Sequence, residues 1–92
     1  MWNPAVELRG VFSRQAAIED AELLGYLAVR QEPTRADLVD ISAIARDLAW
    51  PDDKALSVAN RLAKRWFVEV IEDNVFARPF VFITELGRER AG

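Results

Sequence analysis

The side chains best suited to binding chemistry lie in one short stretch of the chain, from Asp52 to Trp66. Polar, mainly basic residues recur there at steps of three or four: Lys54, Ser57, Arg61 and Lys64, with Val58 and Arg65 at the edge. On a helix, which turns by about 100° per residue, such steps place side chains on one face. Lysine and arginine bind phosphate oxygens, and arginine can also donate two hydrogen bonds to guanine. The stretch therefore indicates a helix that contacts nucleic acid.

The composition argues against catalysis. The chain contains no cysteine and no histidine, which excludes disulfides, thiol nucleophiles, Ser-His pairs and nearly every zinc site. Any reaction would rest on carboxylates, lysines or hydroxyls, in a cleft that a small domain rarely forms. We therefore expect no enzyme, no cofactor and no metal.

Length and hydrophobicity predict one folded domain over residues 1–92. Hydrophobic residues make up 51% of the chain and charged residues 29%, as in ordinary soluble proteins. No apolar run approaches the roughly 20 residues of a membrane span. The N-terminus, Met1-Trp2-Asn3-Pro4, lacks the basic region and apolar core of a secretion signal. A cytoplasmic protein without membrane contact is the expectation.

Residues 1–12 and 13–32 predict an apolar arm followed by a first helix. Ser13 can cap the helix, and Pro33 disfavours helical geometry in the residue before it. The expected inner stripe is Ala17, Ile18, Ala21, Leu24, Leu27 and Ala28. The arm, with Trp2, leaves two possibilities open: a strap on its own domain, or a surface that contacts a second copy.

Residues 40–66 predict a helix-turn-helix. A short strand at Leu38 and Val39 precedes it, Asp40 caps the second helix, Trp50-Pro51 breaks the chain, and Asp52 caps the third helix. The expected inner positions are Ile41, Ile44, Ala45 and Leu48 in the second helix, and Ala55, Ala59, Leu62, Ala63 and Trp66 in the third. We expect both tryptophans to fill the core or the turns.

Residues 67–84 predict a two-stranded wing. Two β-prone segments, Phe67 to Ile71 and Phe80 to Ile83, flank a turn at Asp73-Asn74, with Pro79 at a strand start or edge. Thr84 then caps a helical tail over residues 85–92. The predicted fold class is α+β: a winged helix-turn-helix with a three-helix core and a two- to three-stranded wing.

The last third of the chain contains Leu62, Phe67-Val68, the strand from Phe80 to Ile83, and the sequence Thr84-Glu85-Leu86-Gly87-Arg88. With these features it resembles winged-helix regulators of the multiple-antibiotic-resistance (MarR) type. The resemblance implies that the third helix is a recognition helix and that Arg78 contacts a phosphate or the minor groove. Trp66 stands where that family has glycine, so we expect the third helix to end without a left-handed turn.

These observations predict sequence-specific binding of double-stranded DNA by a small transcriptional regulator, acting as a homodimer. Arg61 is expected to read guanine, and Lys54 and Ser57 to reach bases or backbone. Lys64 and Arg65 are expected to lie beside phosphates. Residues 52–66 support this assignment, since four cations against two acids give a net charge of +2.

The overall charge of −3 keeps an alternative open. The wing contains one cation, Arg78, and three acids, Glu69, Glu72 and Asp73. Phe76 is expected near its tip. An acidic wing with an aromatic tip is suited to contact with a protein. The alternative is therefore a winged-helix interaction module that binds a protein partner through Phe76 and does not bind DNA.

Overall fold

The computed structural model describes residues 4–31, 39–73 and 78–92, and the side chains of residues 14–31, 39–72 and 78–92. Within these ranges lie four helices and three strands: α1 (Pro4–Arg30), β1 (Val39–Asp40), α2 (Ile41–Leu48), α3 (Asp52–Ala63), β2 (Val68–Asp73), β3 (Arg78–Ile83) and α4 (Glu85–Ala91). The strands form an antiparallel sheet in the order β1-β3-β2. The predicted α+β winged helix-turn-helix is confirmed.

Helix α1 begins earlier than the sequence suggested. It starts at Pro4, a residue suited to the first helical position, so Ser13 lies inside the helix and is not its cap. The side chains of residues 1–13, and all of residues 32–38 with Pro33 and Leu38, lie outside the described part. The arm predicted for residues 1–12 is therefore mostly a continuation of α1.

The buried face of α1 also differs from the predicted stripe. Leu23, Leu24 and Leu27 are buried as one side of the core, together with the polar residues Asp20 and Gln31. Ala17, Ile18 and Ala21 are exposed. The prediction is confirmed for Leu24 and Leu27 and, in part, for Ala28, and it is wrong for the N-terminal half of the stripe, because it counted only apolar residues.

Gln31, directly after α1, completes the sheet. Its Nε2 donates to the carbonyl oxygen of Val81 at 2.8 Å, and its Oε1 accepts from the amide of Ile83 at 2.7 Å. Strand β1 pairs with β3 only at Val81 and Phe80. The glutamine side chain thus bonds the central strand at Val81 and Ile83, and fixes the end of α1 to the sheet.

The helix-turn-helix largely follows its sequence signals. Asp40 accepts a hydrogen bond from the amide of Ala43 at 2.7 Å and caps α2, as predicted. Ala49 ends α2 in the left-handed conformation, with φ of 57°. Asp52 is not a cap: Pro51 holds the N-cap position, and Asp52 is the first helical residue, where its charge still opposes the helix dipole.

The end of α3 contradicts two expectations about Trp66. The helix ends at Ala63, and Trp66 lies beyond it with φ of 65°, in the left-handed region that glycine favours. Its side chain is 77% exposed and is not part of the core. Trp66 therefore adopts the left-handed conformation although it is not glycine. Trp50, in contrast, is half-buried against the core, as expected.

The wing and α4 are joined by close backbone contact. Thr84 caps α4 by accepting from the amide of Gly87 at 3.0 Å, and its hydroxyl lies 2.6 Å from the carbonyl oxygen of Trp66. A Cβ on Gly87 would lie 2.0 Å from the backbone oxygen of Phe67, so only glycine fits there. The predicted turn residue Asn74 and the tip residue Phe76 lie outside the described residues.

One core lies between the helices and the sheet. It contains Leu23, Leu27, Ile44, Val58, Leu62 and Val81, each almost fully buried. No helix in the described part of the chain is both long enough and apolar enough to cross a lipid bilayer.

Candidate nucleic-acid interface

The outward surface of α3 is a narrow polar arc. Four exposed side chains form it: Asp53, Ser57, Asn60 and Lys64. They follow one another at steps of four, three and four residues, so they lie within about 60° of Ser57 around the helix axis. Together with Leu56 and Arg61, they border an open depression of ≈ 520 Å³ along the helix. A surface of this kind can meet the edges of bases in a groove.

Arg61 faces α1. Its Nε and Nη2 donate to Asp20 Oδ1 at 2.9 and 2.6 Å, and Nη2 lies 3.3 Å from the carbonyl oxygen of Ala16. Asp20 is buried, with 8% of its surface exposed, whereas the Arg61 side chain is 34% exposed, so the pair is only partly removed from water. Arg61 thus borders the depression, but its guanidinium is turned toward α1 and not outward as predicted, because a carboxylate on α1 holds it.

Two further cations of this region also lie beside acids of α1. Lys54 Nζ lies 3.6 Å from Glu19 Oε2 and 5.0 Å from the centre of the Trp50 ring. Arg65 Nη1 lies 3.7 Å from Asp20 Oδ2. Lys54 and Arg65 thus border the surface between α3 and α1, and Lys64 is the cation that the outward arc presents.

Val58, predicted at the edge of the DNA-binding face, is buried at 1% exposure and packs in the core. The prediction is wrong because α3 turns its Val58 side toward the core together with Ala55 and Leu62. Arg78, at the start of β3, is 62% exposed and lies 3.7 Å from Asp40 Oδ2. It lies at the turn end of the wing, paired with Asp73, and its side chain reaches the cap of α2.

Asn60 is a candidate that sequence reasoning missed. It lies seven residues after Asp53, so the two side chains differ by only about 20° around the helix. The same angular count that selected Ser57 and Lys64 selects Asn60. It was passed over because attention went to charged residues, although a side-chain amide offers both donors and an acceptor.

A second polar cluster joins α1 to α2 at a distance from this arc. The Tyr26 hydroxyl donates to Asp47 Oδ2 at 2.5 Å, and Arg30 Nη1 donates to the same oxygen at 2.9 Å. Partial burial and the bond to Asp47 raise the pKa of Tyr26 to about 12. The bonds from Tyr26 and Arg46 lower the pKa of Asp47 below its ordinary value of 3.8. The cluster fixes the orientation of the helix-turn-helix relative to α1.

A cavity of ≈ 160 Å³ lies where α1, the end of α3 and α4 meet. Apolar groups line it beside three charged side chains, Asp20, Arg65 and Arg90. Its volume is below the roughly 300 Å³ at which ligand pockets usually begin. In the described part of the chain, no group of three acidic side chains is placed to hold a metal ion.

Comparison with solved structures identifies the fold. S. aureus MepR in a DNA-binding conformation superposes with a TM-score of 0.68 at 16% identity, over 98% of this chain and 72% of that one. A MepR mutant from a multidrug-resistant S. aureus clinical isolate gives the same score over 99% and 72%. Apo, heme-free PefR gives 0.68 at 15% identity, over 97% and 87%.

No family model matches the sequence, and neither does any curated protein. MepR and PefR are MarR-family regulators, so the resemblance seen in the sequence is confirmed at the level of the fold. At such low identity the likeness concerns the fold alone.

Proposed function

We propose that this protein is a DNA-binding transcriptional regulator that places α3 in the major groove of double-stranded DNA. The observation that carries the proposal is the outward arc of α3, which is polar, exposed and free of large apolar side chains. The major groove admits an α-helix, and the second helix of a helix-turn-helix reads base edges there. MarR-family neighbours that bind DNA support the same assignment.

The cations near the arc lie at three positions. Lys64 lies on the arc itself, whereas Lys54 and Arg65 lie at its α1 side, beside Glu19 and Asp20. Arg78 extends the basic surface to the turn end of the wing. We assign phosphate contacts to Lys64, Arg65 and Arg78, with Ser57 near the bases. A single copy then offers few cations, so we expect weak binding by a monomer.

The proposal includes a second copy of the chain, as in MarR-family regulators. Exposed apolar side chains follow one stripe of α1: Ile18 at 54%, Val29 at 80%, and Ala21 between them. Gly25 lies on the same stripe, and a Cβ there would meet nothing within 4 Å. Such a stripe on a regular helix suits packing against its own copy, and a dimer doubles the phosphate contacts.

The DNA-binding test is fluorescence anisotropy with a mixed-sequence duplex at several salt concentrations. We expect binding that weakens steeply with salt, and Lys64→Ala should reduce the slope of log affinity against log salt by about 1. Arg90→Ala, which removes a cation from α4, is the matched control and should leave the slope unchanged. Absence of binding by the wild-type protein at low salt would refute the proposal.

The dimer is tested separately by light scattering of the wild-type protein and of Ile18→Glu. We expect the wild-type mass to be that of two chains, and the variant to move toward one chain because a charge then lies in the stripe. Ile71→Glu adds the same charge at an exposed apolar side chain of β2, away from α1, and serves as the control. A monomeric wild-type protein at micromolar concentration would remove the dimer from the proposal.

A further inference from the structure

Arg61 is poorly placed to read a base. Two nitrogens of its guanidinium, Nε and Nη2, donate to one oxygen of Asp20, and Nη2 also lies near the carbonyl oxygen of Ala16. Contact with guanine would require the guanidinium to leave this carboxylate. Asp20 would then be left buried without that partner, which is costly. The residue that reads a base must therefore be sought among the side chains that α1 does not hold.

Of the four side chains on the exposed arc, Asp53 can only accept, and it already accepts from the Lys54 amide at 3.0 Å. Ser57, Asn60 and Lys64 remain as candidates to contact base edges. A serine hydroxyl pairs with several bases and discriminates little between them. Lysine carries a mobile point charge that serves phosphates equally well. Asn60 alone of the three presents a donor and an acceptor in one plane, and these match N7 and N6 of adenine.

The position of Asn60 agrees with this chemistry. It lies in the second half of α3, between Ser57 and Lys64 along the arc, and its side chain is exposed. It also borders the open depression along the helix, so a base edge can approach it from outside. Its backbone carbonyl accepts from the Lys64 amide at 3.2 Å, within the regular helix, so a change of side chain leaves this bond in place.

We propose that Asn60 is a specificity-determining residue of α3, which reads the major-groove edge of adenine in an A·T pair through its side-chain amide. This inference rests on the proposed DNA-binding function. It goes further by naming the base that is read and the residue that reads it. Lys64 and Arg65 then position the helix on the phosphates, and Arg61 stabilises the contact between α3 and α1.

The test is selection of bound duplexes from a randomised library by the wild-type protein, followed by affinity measurements on the selected site. We expect the wild-type protein to select an adenine at one position of each half-site. Asn60→Ala should lose about tenfold to a hundredfold in affinity for that site. For a site in which that A·T pair is replaced, Asn60→Ala and the wild-type protein should bind with equal affinity. The variant therefore loses the preference for adenine.

Two controls separate this inference from the proposed function. Lys64→Ala should weaken binding to both sites equally, since a phosphate contact carries no base preference. Arg61→Gln should keep the adenine preference. If Asn60→Ala retains the wild-type preference while Lys64→Ala weakens binding, Asn60 does not read the base and the DNA-binding function still stands. If the wild-type protein binds no duplex at low salt, both proposals fail.

Discussion

Two residues of the described chain hold a left-handed backbone without being glycine. Ala49 ends α2 with φ of 57°, and Trp66 follows α3 with φ of 65°. Both are exposed, so neither conformation is compensated by burial of its own side chain. Since the left-handed region costs an ordinary residue about 1–2 kcal/mol, both positions store strain.

We expect Ala49→Gly and Trp66→Gly to stabilise the fold, each by roughly 0.5–1 kcal/mol, because glycine removes the strain. In a domain of this size, 1 kcal/mol raises the melting temperature by about 4–8 °C. Ser57→Gly, in the middle of α3, is the control and should lower the melting temperature. Thermal unfolding followed by circular dichroism would measure all three, and a loss of stability in both Ala49→Gly and Trp66→Gly would contradict the expectation.

Tyr26 is the only tyrosine in the sequence, so its ionisation can be followed alone by absorbance near 295 nm. We expect a midpoint near pH 12 in the folded protein, because partial burial and the bond to Asp47 favour the neutral phenol. The folded-state pKa lies above the ordinary 10.0. The stabilisation is therefore complete below pH 10 and is lost as the pH rises toward 12.

Asp47→Ala should lower this midpoint only in part, since burial remains the larger cause of the raised pKa. The urea-unfolded chain, titrating near pH 10, provides the reference. A folded wild-type protein that titrates at the same pH as the unfolded chain would show that Tyr26 does not bond Asp47 in solution.

Gly87 governs the docking of α4 at the scale of secondary-structure elements. Its missing side chain lets the first turn of α4 approach the carbonyl oxygen of Phe67, and Thr84 caps the helix at the same place. In the sequence from Thr84 to Arg88, which resembles MarR-type regulators, Thr84 thus caps α4 and Gly87 permits a close contact between two backbone segments.

Gly87→Ala should destabilise the protein by about 3 kcal/mol, because its Cβ would overlap a backbone atom that cannot move alone. Gly25→Ala is the matched control: it lies in α1 with open space around it and should gain about 0.5–1 kcal/mol in helix stability. Urea unfolding of both variants would measure the difference. Equal stability of the two would mean that α4 does not dock as described.

The elements that the sequence predicted well are those with local signals. The cap at Asp40, the break at Trp50-Pro51 and the cap at Thr84 each depend on residues only a few positions apart. The buried face of α1 was predicted only in part, because Asp20 and Gln31 are buried through partners 41 to 52 residues away, which no local period reveals. The orientation of Arg61 was missed for the same reason, whereas Asn60 could have been found by the helical angle alone.

At the scale of the whole molecule, the acidic balance takes on a different meaning. The net charge is −3, yet Glu19 and Asp20 on α1 lie beside three cations of the α3 region. These acids hold basic side chains in place, and they also reduce the positive potential that DNA would meet.

The double variant Glu19→Gln, Asp20→Asn should change how DNA binding responds to salt. The net charge changes from −3 to −1, since two acids are removed, and Lys54, Arg61 and Arg65 are released from their partners. We expect the slope of log affinity against log salt to steepen by roughly 2, with some loss of folding stability. Glu69→Gln with Glu72→Gln, in the wing, is the charge-matched control. An unchanged slope in the α1 variant would show that its acids do not restrain these cations.

The bond between Gln31 and β3 has a mechanical consequence. The Gln31 side chain joins the end of α1, a helix of 27 residues, to β3, the central strand of the sheet, by two short hydrogen bonds. The helix cannot slide or rotate at this end without pulling that strand or exposing two buried backbone groups. A displacement of α1, for example one imposed by a partner along its apolar stripe, would therefore move β3 and the wing with it.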